Sequence, residues 1–193
     1  MPDNKVFYGF SHVYYAVATL DSDGAATYGT VKQFVGGRGL TLSKSGGQQK
    51  WYADNIPFFT YNEESGTYSG DLEMALLSND FLKDCCGMKS DAFGRLYEDA
   101  NAEPPHFALL FQFEADQKAI RHVFYNCTAT MPDITSQTTE GTNEPQTETV
   151  TITAMPVYVT ALNQYVTRMK VEDGDPGYST WFTSVVSPAA STT

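Results

Sequence analysis

Asp71 and Glu73 come nearest to a catalytic pair in this chain: two carboxylates two residues apart in one extended run, which places both on one face of a strand. Such a pair can divide acid and base roles between its members. The wet face of an ordinary sheet produces the same spacing, and no second acidic motif stands near it. The histidines His12, His106 and His122 fall on or at the ends of extended runs, none within metal-ligand spacing of a cysteine or of another histidine. Cys85 and Cys86 are adjacent, where a mutual disulfide is strained, and Cys127 alternates with Val123, Tyr125 and Ala129; all three read as reduced, buried thiols. Gly36-Gly37-Arg38-Gly39 is followed neither by a Lys-Ser/Thr pair nor by a helix, so it reads as flexible backbone and not as a phosphate loop. Asn126-Cys127-Thr128 matches a glycosylation acceptor only by accident, because it lies mid-strand. The expectation is a protein without catalytic residues, cofactor or metal.

The elements that would carry these residues are strands. Residues 68–76 alternate Tyr68, Gly70, Leu72, Met74 and Leu76 against Ser69, Asp71 and Glu73, one face core and one face wet. Ser78 or Asn79 then caps a short helix with Asp80 in its first turn and Phe81, Leu82 and Cys85 behind, ending near Gly87. Residues 6–20 and 26–35 form an N-terminal hairpin across the Asp23-Gly24 turn. Residues 106–114 carry the most apolar face, Phe107, Leu109, Phe111 and Phe113, and pair with 119–131. Residues 146–154 resume the alternation, with Val150 and Ile152 inward. Between these runs, 36–64 is repeatedly interrupted by glycines and reads as a long loop or arm, while 88–105 is irregular and 134–144 is an exposed loop. Residues 157–169 are strand-like or partly helical, and 178–186 fit one short amphipathic helix presenting Trp181, Phe182, Val185 and Val186.

Composition narrows the function classes. A chain of 193 residues is one domain, or one domain with arms. Its net charge of -11, from 23 acidic against 12 basic residues, opposes tight binding to a phosphate backbone. That charge fits a surface kept soluble by repulsion. No apolar run reaches the length of a membrane span and no leader pattern opens the chain, so the protein is expected in the cytoplasm, away from membranes.

Four stretches in order carry a resemblance: WYADN with the YSGDLE strand and the helix behind it, then EDANAEPPHFALL, RHVFYNCTAT and PQTETVT. Together they resemble the major tail protein family of long, flexible-tailed bacteriophages, the group labelled phi13-like, over nearly the whole chain. The resemblance implies a mainly β fold: a tail-tube-type β-sandwich with one short α-helix, a long inter-subunit loop and a C-terminal arm. It divides the chain into a sandwich domain, 1–156, that includes the loop 36–64, and an arm, 157–193, packed on that domain. It implies a structural virion protein, assembled in the host cytoplasm, whose hexameric rings stack into a tube that conducts DNA. The partners are then copies of the chain itself, a tape-measure protein, a tail terminator and tail-tip proteins, with DNA only as passing cargo.

The aromatics of the arm, Trp51, Tyr52, Phe58, Phe59 and Tyr61, are either folded back on the subunit's own core or held in an interface. With Trp181 and Phe182 they are the candidate subunit-contact residues. A rival reading is a β-sandwich carbohydrate-binding module in which Trp51 and Tyr52 stack on sugar rings. Elemental analysis of the purified protein is expected to be blank; stoichiometric zinc or calcium surviving dialysis contradicts the reading of the His, Cys and acidic residues.

Overall fold

The computed structural model describes residues 9–53, 56–114, 118–134, 136 and 146–190, and for 47–53 and 56–65 the backbone alone. The protein is mainly β. Thirteen strands and one helix occur among these residues: β1 (Phe10–Leu20), β2 (Ala26–Tyr28), β3 (Lys32–Gln33), β4 (Gly37–Ala53), β5 (Ile56–Met74), α1 (Asn79–Asp84), β6 (Lys89–Ser90), β7 (Leu96–Tyr97), β8 (His106–Phe113), β9 (Arg121–Ala129), β10 (Glu148–Met155), β11 (Val157–Val159), β12 (Gln164–Val166) and β13 (Arg168–Val171).

Nine strands form one antiparallel sheet in the order β2-β1-β8-β9-β10-β5-β4, with β3 also on β1 and β13 on β9. Every strand from β1 through β4 sends side chains into one apolar cluster: Tyr15, Phe107, Phe124, Ile152 and Leu72 are buried in it, and Leu40 packs against it from β4. The sheet therefore wraps around a common interior. Its ends approach at Gly37, where an added Cβ would come within 2.7 Å of Val13 and 2.9 Å of Phe10.

Helix α1 is short for a local reason. Ser78, in extended geometry, accepts from the Phe81 amide at 3.2 Å, so Ser78 and not Asn79 is the N-cap. One turn later Phe81 is fully buried, stacked on Phe34 at 4.2 Å and edge-on to Tyr15 at 5.4 Å. Asp84, at the helix end, accepts from Tyr15 at 3.0 Å and from Lys32, which ties α1 to β1 and β3.

The sheet has a second apolar face. Ala108 and Leu110 of β8 are as buried as Phe107 and Leu109, because β11 and the C-terminal segment cover that side with Val157, Val159 and Trp181. The expected hairpin of β8 with β9 forms, yet Cys127 does not share a face with Val123 and Tyr125. Phe107 pairs with Cys127 but Leu109 with Phe124, so β9 carries one extra residue. That bulge turns Phe124, Cys127 and Ala129 to the first core and Val123 and Tyr125 to the second.

Three expectations are corrected. Residues 36–64 are not an irregular arm: β4 and β5 pair from Gly37–Met74 out to Ala53–Ile56. Only the base of this hairpin, as far as Tyr68, lies on β10. From Gly46 outward, about eight residues or 25 Å at strand rise, its two strands have only each other among the described residues. Leu76 is 69% exposed and Leu77 is buried instead, because β5 ends at Met74, where the Ala75 amide turns to the Gly36 carbonyl and the strand phase is lost. Residues 178–186 form a series of turns, not a helix. Their backbone bonds are mostly i→i−3, and so short a segment cannot offset helix nucleation when its side chains are anchored elsewhere.

Gly70 sits in β5 between Ile152 of β10 and Leu42 of β4, and an added Cβ would run into the Thr41 carbonyl. Gly70→Ala is expected to cost about 1–3 kcal/mol by overpacking. Phe111→Ala should cost about 3–5 kcal/mol, whereas Leu76→Ala stays within about 0.5 kcal/mol. Urea unfolding of the three variants checks this order, and equal losses at positions 76 and 111 contradict the core assignment.

Candidate functional site

Asp71 and Glu73 lie on the polar face of β5, opposite Thr151 and Thr149 of β10. The Thr151 hydroxyl donates to Asp71 at 2.9 Å and the Thr147 hydroxyl to Glu73 at 2.6 Å, while the Arg38 guanidinium sits 3.5 Å from Glu73. Beside them runs a groove of about 450 Å³ lined by Asp71, Thr130, Met131, Asp133, Glu148 and Thr151. Glu148 is committed to the fold, since it accepts from the Leu77 amide. Each carboxylate of the sequence pair thus holds a neighbouring strand through a threonine. The arrangement stitches β5 to β10.

The histidines are dispersed. His12 occupies a left-handed conformation, φ 52°, at the irregularity where β1 slips against β8 between Ser11 and Tyr14. His106 donates from Nδ1 to the side-chain carbonyl of Asn126 at 2.7 Å, which satisfies the one buried polar residue among those described. His122 stacks on Phe111 at 5.2 Å. Among the described residues no group of three His, Cys, Asp or Glu stands close enough to hold a metal ion.

The three cysteines are free and buried. Burial pushes the thiols of Cys85 and Cys127 far up, and that of Cys86 from 9.0 up to about 12. Burial likewise raises the phenols of Tyr15, Tyr28 and Tyr125; at Tyr15 the neighbouring Asp84 charge adds to it.

The aromatic candidates divide into two sets. Trp51 and Phe59 are cross-strand partners on the outer hairpin, Gln49 faces Tyr61, and Tyr52 faces Pro57. Phe58 is then the extra residue of a bulge near the hairpin tip. The side chains of these residues lie outside the described set. At the other end of the chain, Trp181 is 1% exposed and donates from its indole to the His122 carbonyl at 3.3 Å. Its surface is spent inside the subunit. Phe182 stacks on Tyr14 at 4.6 Å, and Arg121 lies 3.7 Å from the Tyr178 ring and 4.6 Å from Phe182. Tyr125 closes the set by donating to the Val186 carbonyl at 2.7 Å.

Sequence reasoning missed Arg121 and Asp84 as anchors, because their partners lie more than fifty residues away. It also missed the small β6–β7 hairpin inside the stretch read as irregular, although Asp91 and Gly94 at first and fourth positions are a readable turn signature.

No family model matches the chain, and no curated protein matches it. Among solved structures, a chain of the 6-fold symmetrised cryo-EM structure of the anti-feeding prophage (AFP) baseplate is similar over 89% of this chain and 97% of that chain, at 9% identity and a TM-score of 0.41. A likeness of that size carries no argument about function.

Because the raised thiol and phenol values favour the neutral native state, their stabilisation is complete below the ordinary thiol value near 9 and is lost as pH climbs toward the native values. The melting temperature should hold between about pH 7 and 8 and fall steadily above about pH 9. At pH 8 a thiol-disulfide reagent should label the native protein slowly and the urea-unfolded protein at all three thiols. Rapid stoichiometric labelling of native protein overturns the burial argument.

Proposed function

We propose that the chain is a structural subunit of a phage-type tail: a tube protein that closes into hexameric rings and stacks them into a hollow tube. The observation that carries this reading is the outer β4–β5 hairpin. A two-stranded ribbon about 25 Å long, with no third strand among the described residues, is marginal in water on its own, so a partner that covers it stabilises both. Its aromatic positions cluster toward the tip, where Trp51, Tyr52, Phe58 and Phe59 fall within a few residues of the turn. Aromatics at an interface centre are the residue class that contributes most to binding.

Other features support the same reading. The stretches that carry the resemblance to the tail-protein family, WYADN, YSGDLE and those that follow, fall on β4, β5, β8, β9 and β10 of the sheet. Asp71 and Glu73, the nearest thing to a catalytic pair, are engaged in holding strands together, which suits a protein that is not an enzyme. In this reading residues 1–156 are the ring-building unit and the arm 157–193 packs on it, with Val157, Val159, Val171 and Trp181 buried in the second core. The charge of -11 lets DNA pass as cargo through the lumen. Contact between successive rings is heterologous and leaves the stack open-ended, so tube length is set by another component, by resemblance a tape-measure protein, with a terminator and tip proteins closing the ends.

Negative-stain microscopy of the concentrated protein should show rings or tubes. A sugar-binding module stays small on size exclusion and is retained on a polysaccharide column instead. The double variant Phe58→Ser, Phe59→Ser should melt like the parent as a monomer and lose assembly by at least about tenfold in critical concentration, the effect of about 1.4 kcal/mol per subunit contact. Normal tubes from that variant show that the ribbon tip does not join subunits.

A further inference from the structure

The β6–β7 hairpin exposes an aromatic ring on a turn closed by hydrogen bonds. Asp91 accepts at Oδ1 from the amides of Phe93 and Arg95, both at 2.9 Å, and at Oδ2 from the Arg95 side chain at 2.7 Å. The Gly94 amide donates to the Asp91 carbonyl, and Gly94 has φ +80°, where a side chain is strained. Phe93, inside this locked turn, is 84% exposed, with the Arg95 guanidinium 5.1 Å from its ring centre. Single exposed apolar residues are ordinary on protein surfaces. A ring carried on a backbone already closed by hydrogen bonds differs, because the turn has less ordering entropy left to lose on docking.

A cavity large enough for a single side chain lies on the same chain. A pocket of about 230 Å³ is lined by Ala26, Tyr28, Tyr125, Val157, Val159 and Ala161. It lies below the range of roughly 300–1,000 Å³ typical of small-molecule sites, the size for one side chain. Its walls belong to the second core, whereas the β6–β7 hairpin follows α1, whose Phe81 belongs to the first. Phe93 is not among the residues that line the pocket, so one molecule's knob can serve the next molecule's pocket head to tail. Charge agrees. Arg95, although paired with Asp91, keeps its side chain 75% exposed, and the exposed Asp23 stands in the turn leading into Ala25 and Ala26 at the pocket wall, within a chain that otherwise repels its copies.

We propose that Phe93 of one copy inserts into the Tyr28–Tyr125 pocket of a second copy, with Arg95 facing the Asp21–Asp23 turn; this rests on the self-assembling reading above and adds a contact to it. Phe93→Ser should raise the protein concentration needed for assembly about tenfold or more, and Ala161→Trp, which fills the pocket from an exposed position, should do the same. Both should keep the parental melting temperature. Phe93→Cys and Ala161→Cys proteins, mixed under mild oxidation, should give a disulfide-linked dimer that neither gives alone, since the native thiols are buried. If parental tubes form, Phe93→Ser assembles at the parental concentration and the mixed cysteine proteins do not cross-link, the proposal fails while the tube reading stands. A parental chain that stays monomeric at every concentration removes both.

Discussion

Strand β9 has no free edge and no wet face, and the rest of the fold is arranged around it. One edge belongs to β8; the other is divided end to end, with β13 along Arg121–Phe124 and β10 along Asn126–Ala129. At the junction the extra residue of the bulge lets one strand feed two cores, with Phe124 and Cys127 inward and Tyr125 outward. The extra residue leaves the Asn126 side chain in the interior, and the His106 ring supplies its hydrogen bond. Buried polar groups of this kind are tolerated only when fully partnered.

This arrangement decides what the C-terminal segment is for. With β8 and β9 apolar on both sides, the face bearing Ala108, Leu110, Val123 and Tyr125 has to be covered. Residues 172–186 cover it without regular structure, fixed at a few points: Trp181 on His122, Arg121 between Tyr178 and Phe182, and Val186 on Tyr125. Side-chain anchors replace a hydrogen-bonded ladder.

Elements with a single wet face were legible. The β5 base and β10 show their period because Asp71 and Thr151 face water while Leu72 and Ile152 face the core, and the Ser78 cap is a local signal that needs no partner. What escaped was non-local or lacked a one-sided environment. The outer ribbon, with Gly46, Gly47, Gln48, Gln49 and Lys50 in a row, shows no alternation of apolar and polar residues there and reads as loop until its cross-strand register is seen. The bulge at Tyr125 and Asn126 leaves no mark in an alternating sequence. The bonds that occupy Asp71 and Glu73 come from threonines 80 and 74 residues away, so the choice between catalytic pair and strand stitching lay beyond any local pattern.

The outer ribbon also constrains how such a chain can vary over generations. Each residue of β4 from Gly46 to Trp51 has a fixed partner on β5, and in any paired strand successive positions belong to opposite faces. A lone insertion in one strand would invert every face beyond it unless absorbed as a bulge, as already happens near Lys44 and near Trp51. Length can therefore drift only by matched changes in both strands, or by one bulge at a time. Any lineage that lengthens or shortens this ribbon must move in paired steps, and its partner surface must follow at the same spacing.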